Sequence, residues 1–490
     1  MEQITATAAP APRASAPDRS SRRWTALGFI ALAQLMVALD ATIMSIALPS
    51  AQASLHASDA DRQWVITAYT MAFGGLLLLG GKVADRLGRK RTFLIGLLGF
   101  AVASALGGSA TDFGVLVGAR ALQGAFAALL TPTALSLLAV SFTEPRERAT
   151  AFAVYGSIAG SGAAIGFLLG GALTQYLAWR WCLFVNLPIA AVAAVGSNAF
   201  LPNPRASAHV IRLDIPGVVL VAGALVALVE GCTLVVSAGW SAGAVIALLL
   251  TSAAMMTAFI VREALASAPL LPLRIVFDRN RGGSYLTVLL ALAGLFGAFL
   301  FMTYYLQVVL GYSPLEAGLA FLPISIASQL GSWLIARRLM PRVPARVLIA
   351  PGLLVAAAGI ALLTQLPVNG DYLTHVLPAE VLLGFGISCA MVPAFSTATM
   401  GVDQREAGVA AATVNTAQQI GASIGTALLN TIAATATVTY AARHPSGAVH
   451  SAAALVHGYS VATEWGTVML VAGALAAALM MNAPAPRSHR

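Results

Sequence analysis

The sequence predicts an all-α polytopic membrane protein with fourteen transmembrane helices. Of its 490 residues, 58% are hydrophobic and only 10% are charged, and the mean hydropathy is +0.83. A soluble chain is about a quarter charged because its surface faces water, so 19 acidic and 28 basic residues are too few for one of this length. The same composition excludes a disordered chain and a coiled coil. The 45 glycines follow no three-residue period, which excludes collagen.

Apolar stretches separated by Gly, Pro and charged residues mark the individual spans. A helix needs about 20 residues to cross the hydrocarbon core, and the third and sixth stretches are the shortest. The predicted spans are residues 25–48, 64–81, 92–109, 113–138, 149–173, 184–201, 216–237, 241–261, 284–306, 316–336, 346–366, 378–400, 406–433 and 459–481. Ala51-Gln52-Ala53 resembles a signal-peptide cleavage site, but the run before it is too long for a signal and contains Asp40, so we expect the first helix to be retained.

The basic residues predict the orientation. With the N-terminus inside, 24 of the 28 lie in cytoplasmic segments, Arg62, Arg180 and Arg443 lie in outer loops, and Arg120 lies inside a span. The positive-inside rule therefore places both termini in the cytoplasm. We expect a multi-pass membrane protein.

The chain shows a faint internal symmetry. The basic segment 81–91 after the second span has a counterpart, 337–346, after the tenth. Paired bundles of this type are typical of secondary transporters. The predicted organisation is a disordered cytoplasmic tail (1–23), an N-terminal six-helix bundle (24–201), a cytoplasmic linker (202–215), two inserted helices (216–261), a cytoplasmic linker (262–283), a C-terminal six-helix bundle (284–481) and a cytoplasmic tail (482–490).

Several motifs resemble those of one transporter family. Segment 81–91, GKVADRLGRKR, resembles the signature between helices 2 and 3 of the major facilitator superfamily. Segment 39–49 resembles the helix 1 motif of its fourteen-spanner branch, the drug:proton antiporter-2 family, and 116–124 resembles the helix 4 motif. Segments 179–188, 269–273 and 307–323 also match, so the resemblance extends over about residues 24–480. It implies a major facilitator fold, with two six-helix bundles plus two inserted helices, and drug efflux.

The helix 5 antiporter motif departs from the family pattern at one residue. Gly166–Gly171 reads GFLLGG, so Phe167 stands where the motif has proline. Proline would remove a backbone hydrogen bond and kink the helix. Gly162, Gly166, Gly170 and Gly171 retain the small residues that allow close helix contact. We expect the packing role to persist, and the bend is the open point.

Asp40 and Arg120 are the proposed proton-coupling pair. An ionisable side chain within the hydrocarbon is a functional hypothesis by default. At 1.5 Å per residue, Asp40 lies about 12 Å below the outer end of helix 1 and Arg120 about 10 Å below the outer end of helix 4. The two side chains can therefore meet if helices 1 and 4 are neighbours, as the family fold implies. Asp40 would take up the proton, and Arg120 would favour its charged form until protonation or substrate releases it. The alternative is a static ion pair that fixes helix packing.

Segment 81–91, the gating segment, is implied by the resemblance to form a cytoplasmic gate. Glycine permits a tight turn, an acid can cap or pair, and bases can anchor to lipid and helix ends. The residues expected to do this are Gly81, Asp85, Arg86, Gly88, Arg89 and Lys90. The alternative is topological anchoring alone, which is the expected role of 337–346.

The substrate cavity is expected to be lined by uncharged polar and aromatic residues, which suit a lipophilic substrate. The candidates are Gln34, Tyr69, Gln123, Tyr304, Gln307, Gln329, Asn415 and Gln418, with Gln419 beside them. Each could instead make an interhelical hydrogen bond. Glu230 and Glu464 are expected to have structural or interfacial roles.

These features predict a proton-coupled antiporter that exports lipophilic drugs, antibiotics or related metabolites by alternating access. Val83 stands where a phosphate loop needs Ser or Thr, which argues against an ATP-driven pump. No catalytic or metal-binding pattern is present, so we expect no enzyme activity and no cofactor beyond the proton gradient. The expected partners are a small molecule, protons and the bilayer, without nucleic acid, and the protein is expected to be a monomer. A proton symporter that imports an organic solute and a non-transporting sensor on the same fold remain alternatives.

Overall fold

A computed structural model describes residues 19–201, 214–266, 269–340, 342–402, 407–444 and 451–482. These residues contain helices and no strands, and fourteen of the helices are long and apolar enough to cross a membrane, which confirms the predicted number of spans. The fourteen helices are α1 (Arg22–Ser54), α2 (Trp64–Leu87), α3 (Arg89–Gly108), α4 (Phe113–Ser141), α5 (Arg146–Tyr176), α6 (Trp181–Phe200), α7 (Ile215–Ala238), α8 (Gly243–Leu265), α9 (Arg279–Val309), α10 (Pro314–Leu339), α11 (Ala345–Leu363), α12 (Tyr372–Ala398), α13 (Gly408–Arg443) and α14 (Ala452–Met480).

The packing of these helices gives the predicted fold class. In the first bundle, α4 packs against α2 and α3, α1 packs against α5, and α6 packs against α1 and α3. In the last bundle, α9 packs against α13 and α14, α11 packs against α12 and α14, and α10 packs against α12. The inserted helices α7 and α8 pack against each other, and α7 also contacts α2 and α13. The insertion therefore lies where the two six-helix bundles meet.

Polar contacts join the helix ends on the side of the bundle where α1 begins and α14 ends. We call this side the tail side and the opposite side the far side. Arg22 Nη2 and Lys90 Nζ donate to the carbonyls of Ala199 and Asn198, at the end of α6. Arg279, at the start of α9, donates to the Leu479 carbonyl near the end of α14. These contacts satisfy helix-end carbonyls that have no partner within their own helix.

The first helix begins before the predicted boundary. Arg22 and Arg23 are helical rather than part of the predicted disordered tail 1–23, and residues 1–18 of that tail lie outside the described residues. Arg23 forms an ion pair with Glu147 at the start of α5, so its charge is compensated by a neighbouring helix. Residues 202–213 of the predicted linker and 483–490 of the predicted tail also lie outside the described residues.

The gating segment is mostly helical rather than a loop. Helix α2 continues to Leu87 and α3 begins at Arg89, so Gly88 alone separates them, with φ of 90°. A left-handed φ favours glycine because it has no Cβ. Gly81 lies within α2 and does not form the expected turn.

Local capping explains two helix starts in the second half. The Asp278 carboxylate accepts hydrogen bonds from the amides of Asn280 and Arg281, so α9 begins within the predicted linker 262–283. Ser313 and Glu316 form a reciprocal capping box at the start of α10. Such side chains satisfy amides that have no partner in the first helical turn.

Helix α5 is continuous through Phe167, and its glycines face two different helices. A Cβ on Gly162 would lie 2.7 Å from the Ala38 Cβ, and one on Gly170 would lie 2.9 Å from the Ile43 carbonyl oxygen, both on α1. A Cβ on Gly171 would lie 2.5 Å from the Pro314 carbonyl oxygen on α10. The motif therefore packs α5 against its own bundle and against the other one.

We predict that Gly166→Ala destabilises the protein by about 1–3 kcal/mol, because the added methyl group overpacks the α1–α5 contact. It would lie 2.9 Å from the Leu39 carbonyl oxygen and closer still to Thr42 Oγ1. The measurement is the thermal unfolding midpoint in detergent. Gly156→Ala is the matched control, because no described atom beyond its own stretch of helix lies within 4 Å of its added methyl. Equal midpoints for the two variants would contradict the prediction.

Candidate functional site

Asp40 on α1 and Arg120 on α4 form a fully buried ion pair. Asp40 is 0% exposed and Arg120 is 1% exposed, and Arg120 Nη1 lies 2.6 Å from Asp40 Oδ2. Arg120 Nε donates to the Val65 carbonyl at 3.0 Å, and the guanidinium lies 4.4 Å from the centre of the Tyr69 ring. Helix α2 therefore holds the arginine from a third direction.

Two amide side chains complete the environment of the carboxylate. Asp40 Oδ1 accepts from Gln123 Nε2 at 3.1 Å and from Asn186 Nδ2 at 2.8 Å. The same two amides donate to Ser104 Oγ, and Arg120 Nη1 donates to Gln123 Oε1 at 2.9 Å. We call Asp40, Ser104, Arg120, Gln123 and Asn186 the Asp40 network. It ties α1, α3, α4 and α6 together.

The Asp40 network is arranged for a charged carboxylate. Each described hydrogen bond to the Asp40 oxygens comes from a donor, so a proton on Asp40 would face donors and lack an acceptor. Asn186 Oδ1 is buried and has no hydrogen-bond partner among the described residues. Rotation of this amide would supply an acceptor, but it would remove the donor at 2.8 Å. The described partners of Asp40 therefore match a negatively charged carboxylate.

A second polar network joins the two bundles on the far side. We call it the far-side cluster, and its residues are Gln52, Asp59, Arg62, Tyr304 and Asn430. Arg62 is 3% exposed and donates from Nε to Asn430 Oδ1 at 3.1 Å. Its guanidinium also lies 4.0 Å from the centre of the Tyr304 ring and 3.4 Å from Asp59 Oδ1. Asn430 Nδ2 donates to the Asp59 carbonyl, and Tyr304 donates to Gln52. A buried cation with several partners makes this a specific contact between α9, α13 and the first bundle.

Further contacts between the bundles lie on the same side. Gln307 Nε2 donates to the Ile46 carbonyl at 2.9 Å, and the Leu315 amide donates to Gln175 at 3.1 Å. The Phe167 ring on α5 stacks on Phe321 of α10, with centroids 4.6 Å apart. The hydrogen bonds given above between the two six-helix bundles lie in the far-side half of the helices. The structure therefore shows the far side closed.

The gating segment makes its contacts at the opposite end of the bundle. Asp85 lies 3.9 Å from Arg89, four residues further on, and both are at least one-third exposed. Arg86 is exposed, and Lys90 donates to the Asn198 carbonyl at 2.6 Å. An exposed pair of this kind contributes at most about 1 kcal/mol. A further connection is made by Lys82, which was not among the expected gating residues.

Lys82 connects the gating segment to the linker that follows the inserted helices. Its ammonium group donates to the Pro269 carbonyl at 3.0 Å, and Glu263 on α8 accepts from the nearby Leu271 amide at 2.8 Å. Arg262 lies 2.7 Å from Asp214, which caps the start of α7. Burial disfavours the Asp214 carboxylate, but hydrogen bonds from Arg262 and the Gly217 amide hold its pKa below the ordinary value.

Three of the eight predicted cavity residues are buried in these networks. Tyr69 and Gln123 belong to the surroundings of Asp40, and Tyr304 belongs to the far-side cluster. The protein encloses all three side chains in this conformation, so none of them lines an open cavity here.

The other cavity candidates are more varied in position. Gln329 is exposed beside Gly160, Gln34 accepts from the Tyr155 hydroxyl, and Asn415 donates within its own helix. Gln307 and Gln418 are partly buried. The exposed acids Glu230 and Glu464 lie on the outer surfaces of α7 and α14.

Sequence reasoning did not single out three residues that have central positions. Arg62 was counted only as an outer loop base, and Asn430 lies in a run of small residues. Glu380 was not singled out because the predicted span began at 378, close to it. The structure begins α12 at Tyr372 and buries Glu380 completely. An acid followed by a long apolar run was the available signal for Glu380.

We predict that Asp40→Ala and Arg120→Ala each destabilise the protein by about 3–5 kcal/mol, because each leaves an uncompensated buried charge. The double variant should lose less stability than the sum of the two single losses, because it removes both charges. Thermal unfolding of all four proteins in detergent measures this coupling. Additive losses would show that the two side chains do not stabilise each other.

Comparison of the chain with known proteins identifies its family. The Major Facilitator Superfamily pattern matches residues 30–426. The puromycin resistance protein of Streptomyces alboniger is 51% identical over 97% of this chain and 94% of its own, and the cephamycin export protein of Amycolatopsis lactamdurans is 38% identical over 86% and 87%. The fold is also similar to a crystal structure of a bacterial homologue of the human lysosomal transporter Spinster, in an inward-facing and unoccupied conformation. The two structures superpose with a TM-score of 0.66 over 95% of this chain and 97% of that one, at 18% sequence identity. The chain belongs to the Major Facilitator Superfamily, a family of transporters rather than enzymes.

Proposed function

We propose that this protein is a proton-coupled antiporter that exports lipophilic antibiotics or related drugs. The Asp40 network supports this most directly, because it surrounds one buried carboxylate with donors from two other helices. A group of this kind couples proton binding to a conformational change. The relatives named for puromycin resistance and cephamycin export support the direction of transport and the class of substrate.

The tail side is proposed to face the cytoplasm of a bacterial cell, across the inner membrane. The positive-inside rule supports this orientation, since 24 of 28 basic residues fall in segments on that side. With the far side closed, substrate would then enter from the cytoplasm or the inner leaflet. The protein would act as a monomer, and the proton gradient would supply its energy without a cofactor.

The transport cycle follows from the two networks. In the conformation described here, Asp40 is paired with Arg120, and the far-side cluster keeps the far-side ends of the bundles together. Substrate would bind between the bundles near Gln34, Gln307, Gln329, Asn415 and Gln418. Opening of the far side would release the substrate and admit a proton, and protonation of Asp40 would then rearrange the first bundle. Release of the proton toward the tail side would restore the arrangement seen here.

We predict that Asp40→Asn lowers pH-gradient-driven export by at least about tenfold, because the amide cannot take up a proton. The measurement is puromycin flux in proteoliposomes, with the tail side facing the compartment from which drug is removed. Glu464→Gln is the control, because it removes an exposed carboxylate from α14. Normal coupled export by a well-folded Asp40→Asn variant would contradict the proposed role of Asp40.

The same vesicles separate the alternatives. A proton symporter would move the solute in the same direction as the protons, whereas an antiporter moves it in the opposite direction. A sensor would bind the drug without producing a flux. The relatives named for export favour the antiporter.

We predict that Arg62→Gln shifts the protein about tenfold toward a far-side-open state, because it removes charge-assisted hydrogen bonds that hold the bundles together. Cysteines introduced together at Gln175 and Leu315, which are hydrogen-bonded across the interface, should then cross-link less readily. Arg180→Gln is the matched control, because the bond that Arg180 makes in the described part of the chain stays within the first bundle, to the Ala110 carbonyl. Unchanged cross-linking in Arg62→Gln would contradict a gating role for the far-side cluster.

A further inference from the structure

Glu380 is a buried carboxyl group that the Asp40 network does not include. It lies on α12, eight residues beyond Tyr372, and is 0% exposed. Its Oε2 lies 3.2 Å from the Tyr372 hydroxyl, while its Oε1 is buried without a hydrogen-bond partner among the described residues. The described ion pairs include none to Glu380. A carboxylate in such a place would be expensive, since burying an unpaired charge costs far more than burying a neutral group.

The direction of the hydrogen bonds indicates which protonation state the site accommodates. Tyr372 has a single hydroxyl hydrogen, and its oxygen lies 2.7 Å from the Ala320 carbonyl, which can only accept. When the hydroxyl donates to Ala320 over this shorter distance, its oxygen can accept from Glu380. The contact between Glu380 and Tyr372 is then favourable only if the carboxyl group supplies the hydrogen.

We propose that Glu380 is a second proton-binding site, which holds a proton in this far-side-closed conformation and exchanges it with the far side through Tyr372. The inference rests on the proposed proton antiport and extends it to the second bundle. Tyr372 is the first residue of α12 on the far side and is partly exposed, so it lies between the buried carboxyl group and that surface. Proton exchange is balanced: Tyr372 passes its hydrogen to a far-side water while its oxygen takes the hydrogen from Glu380, and uptake runs in reverse.

The surroundings of Glu380 contain few other titratable groups. Tyr372 faces it on the same helix, and Tyr312, before α10, acts on Tyr372. Helix α10 contributes the Ala320 carbonyl and apolar groups, and α11 packs Gly359 against the Ala379 carbonyl. The described part of these neighbouring helices places no basic side chain against Glu380. Its protonation therefore depends mainly on burial and on the tyrosine.

The position of Glu380 also connects its proton to the contact between the bundles. The Tyr372 hydroxyl bonds to Ala320, next to Phe321, where the regular hydrogen bonding of α10 is interrupted two residues before Pro323. Phe321 stacks on Phe167, the residue that replaces the motif proline on α5. After loss of the proton, the Tyr372 hydroxyl would donate its hydrogen to the Glu380 carboxylate and no longer to the Ala320 carbonyl. That movement would reach the α5–α10 contact directly.

The first test detects the proton itself. Infrared spectra of the purified full-length protein at neutral pH should show the carbonyl band of a protonated, buried carboxylic acid. The band should be absent in Glu380→Gln and present in Asp40→Asn and Glu464→Gln. A wild-type spectrum without this band, or a band that persists in Glu380→Gln, would overturn the proposal. This result does not depend on transport, so it stands even if the proposed antiport fails.

The second test measures coupling in proteoliposomes with puromycin as the probe. Glu380→Gln keeps an N–H donor for the Tyr372 oxygen and should fold, yet pH-gradient-driven export should fall by at least about tenfold. Drug exchange without a gradient should stay at the wild-type level. Tyr372→Phe should slow proton exchange and retain the infrared band. Wild-type coupled export by Glu380→Gln would overturn the coupling role, whereas absence of gradient-driven flux in the wild type would instead contradict the proposed function.

Discussion

The ion pair between Asp40 and Arg120 is the interaction on which the first bundle depends. Neither charge can be left alone in a hydrocarbon environment, so each needs compensation from the protein. Gln123 and Asn186 supply that compensation by bonding to Asp40 Oδ1. The requirement that every buried charge be satisfied therefore determines the relative positions of four helices.

The two buried carboxyl groups illustrate how their surroundings select a protonation state. Asp40 is surrounded by donors, including a guanidinium, and these stabilise its anion. Glu380 has one tyrosine hydroxyl and otherwise apolar neighbours, which accommodate the neutral acid. Each bundle contains one of these carboxyl groups, and the far-side cluster joins the far-side ends of the two bundles. In the proposed cycle, protonation in either bundle would influence the same closed interface, through helix rearrangement in the first and through Phe321 in the second.

The inserted helices contribute to this interface. Helix α7 lies against α2 and α13, where Gln63 bonds to Thr233 at 2.7 Å and Thr431 bonds to the Cys232 carbonyl at 3.0 Å. On the tail side, the linker after α8 accepts a hydrogen bond from Lys82. The insertion is therefore connected to α2 at both ends. A movement of α2 during opening would be transmitted to α7 and to the linker.

Hydropathy and charge along the chain were sufficient to predict the fourteen spans and the fold class, because crossing a bilayer is a property of about 20 consecutive residues. They also made Asp40 and Arg120 conspicuous, since both are charged residues inside apolar spans. The partners of each polar side chain depend instead on helix rotation and on helices distant in the chain. Arg62 and Asn430 are 368 residues apart, and only their packing reveals the contact. For the same reason, the tertiary structure decided that Tyr69, Gln123 and Tyr304 lie in buried networks and that Glu380 is fully enclosed. A polar residue in an apolar run identifies a group that must be satisfied; only the fold determines what satisfies it.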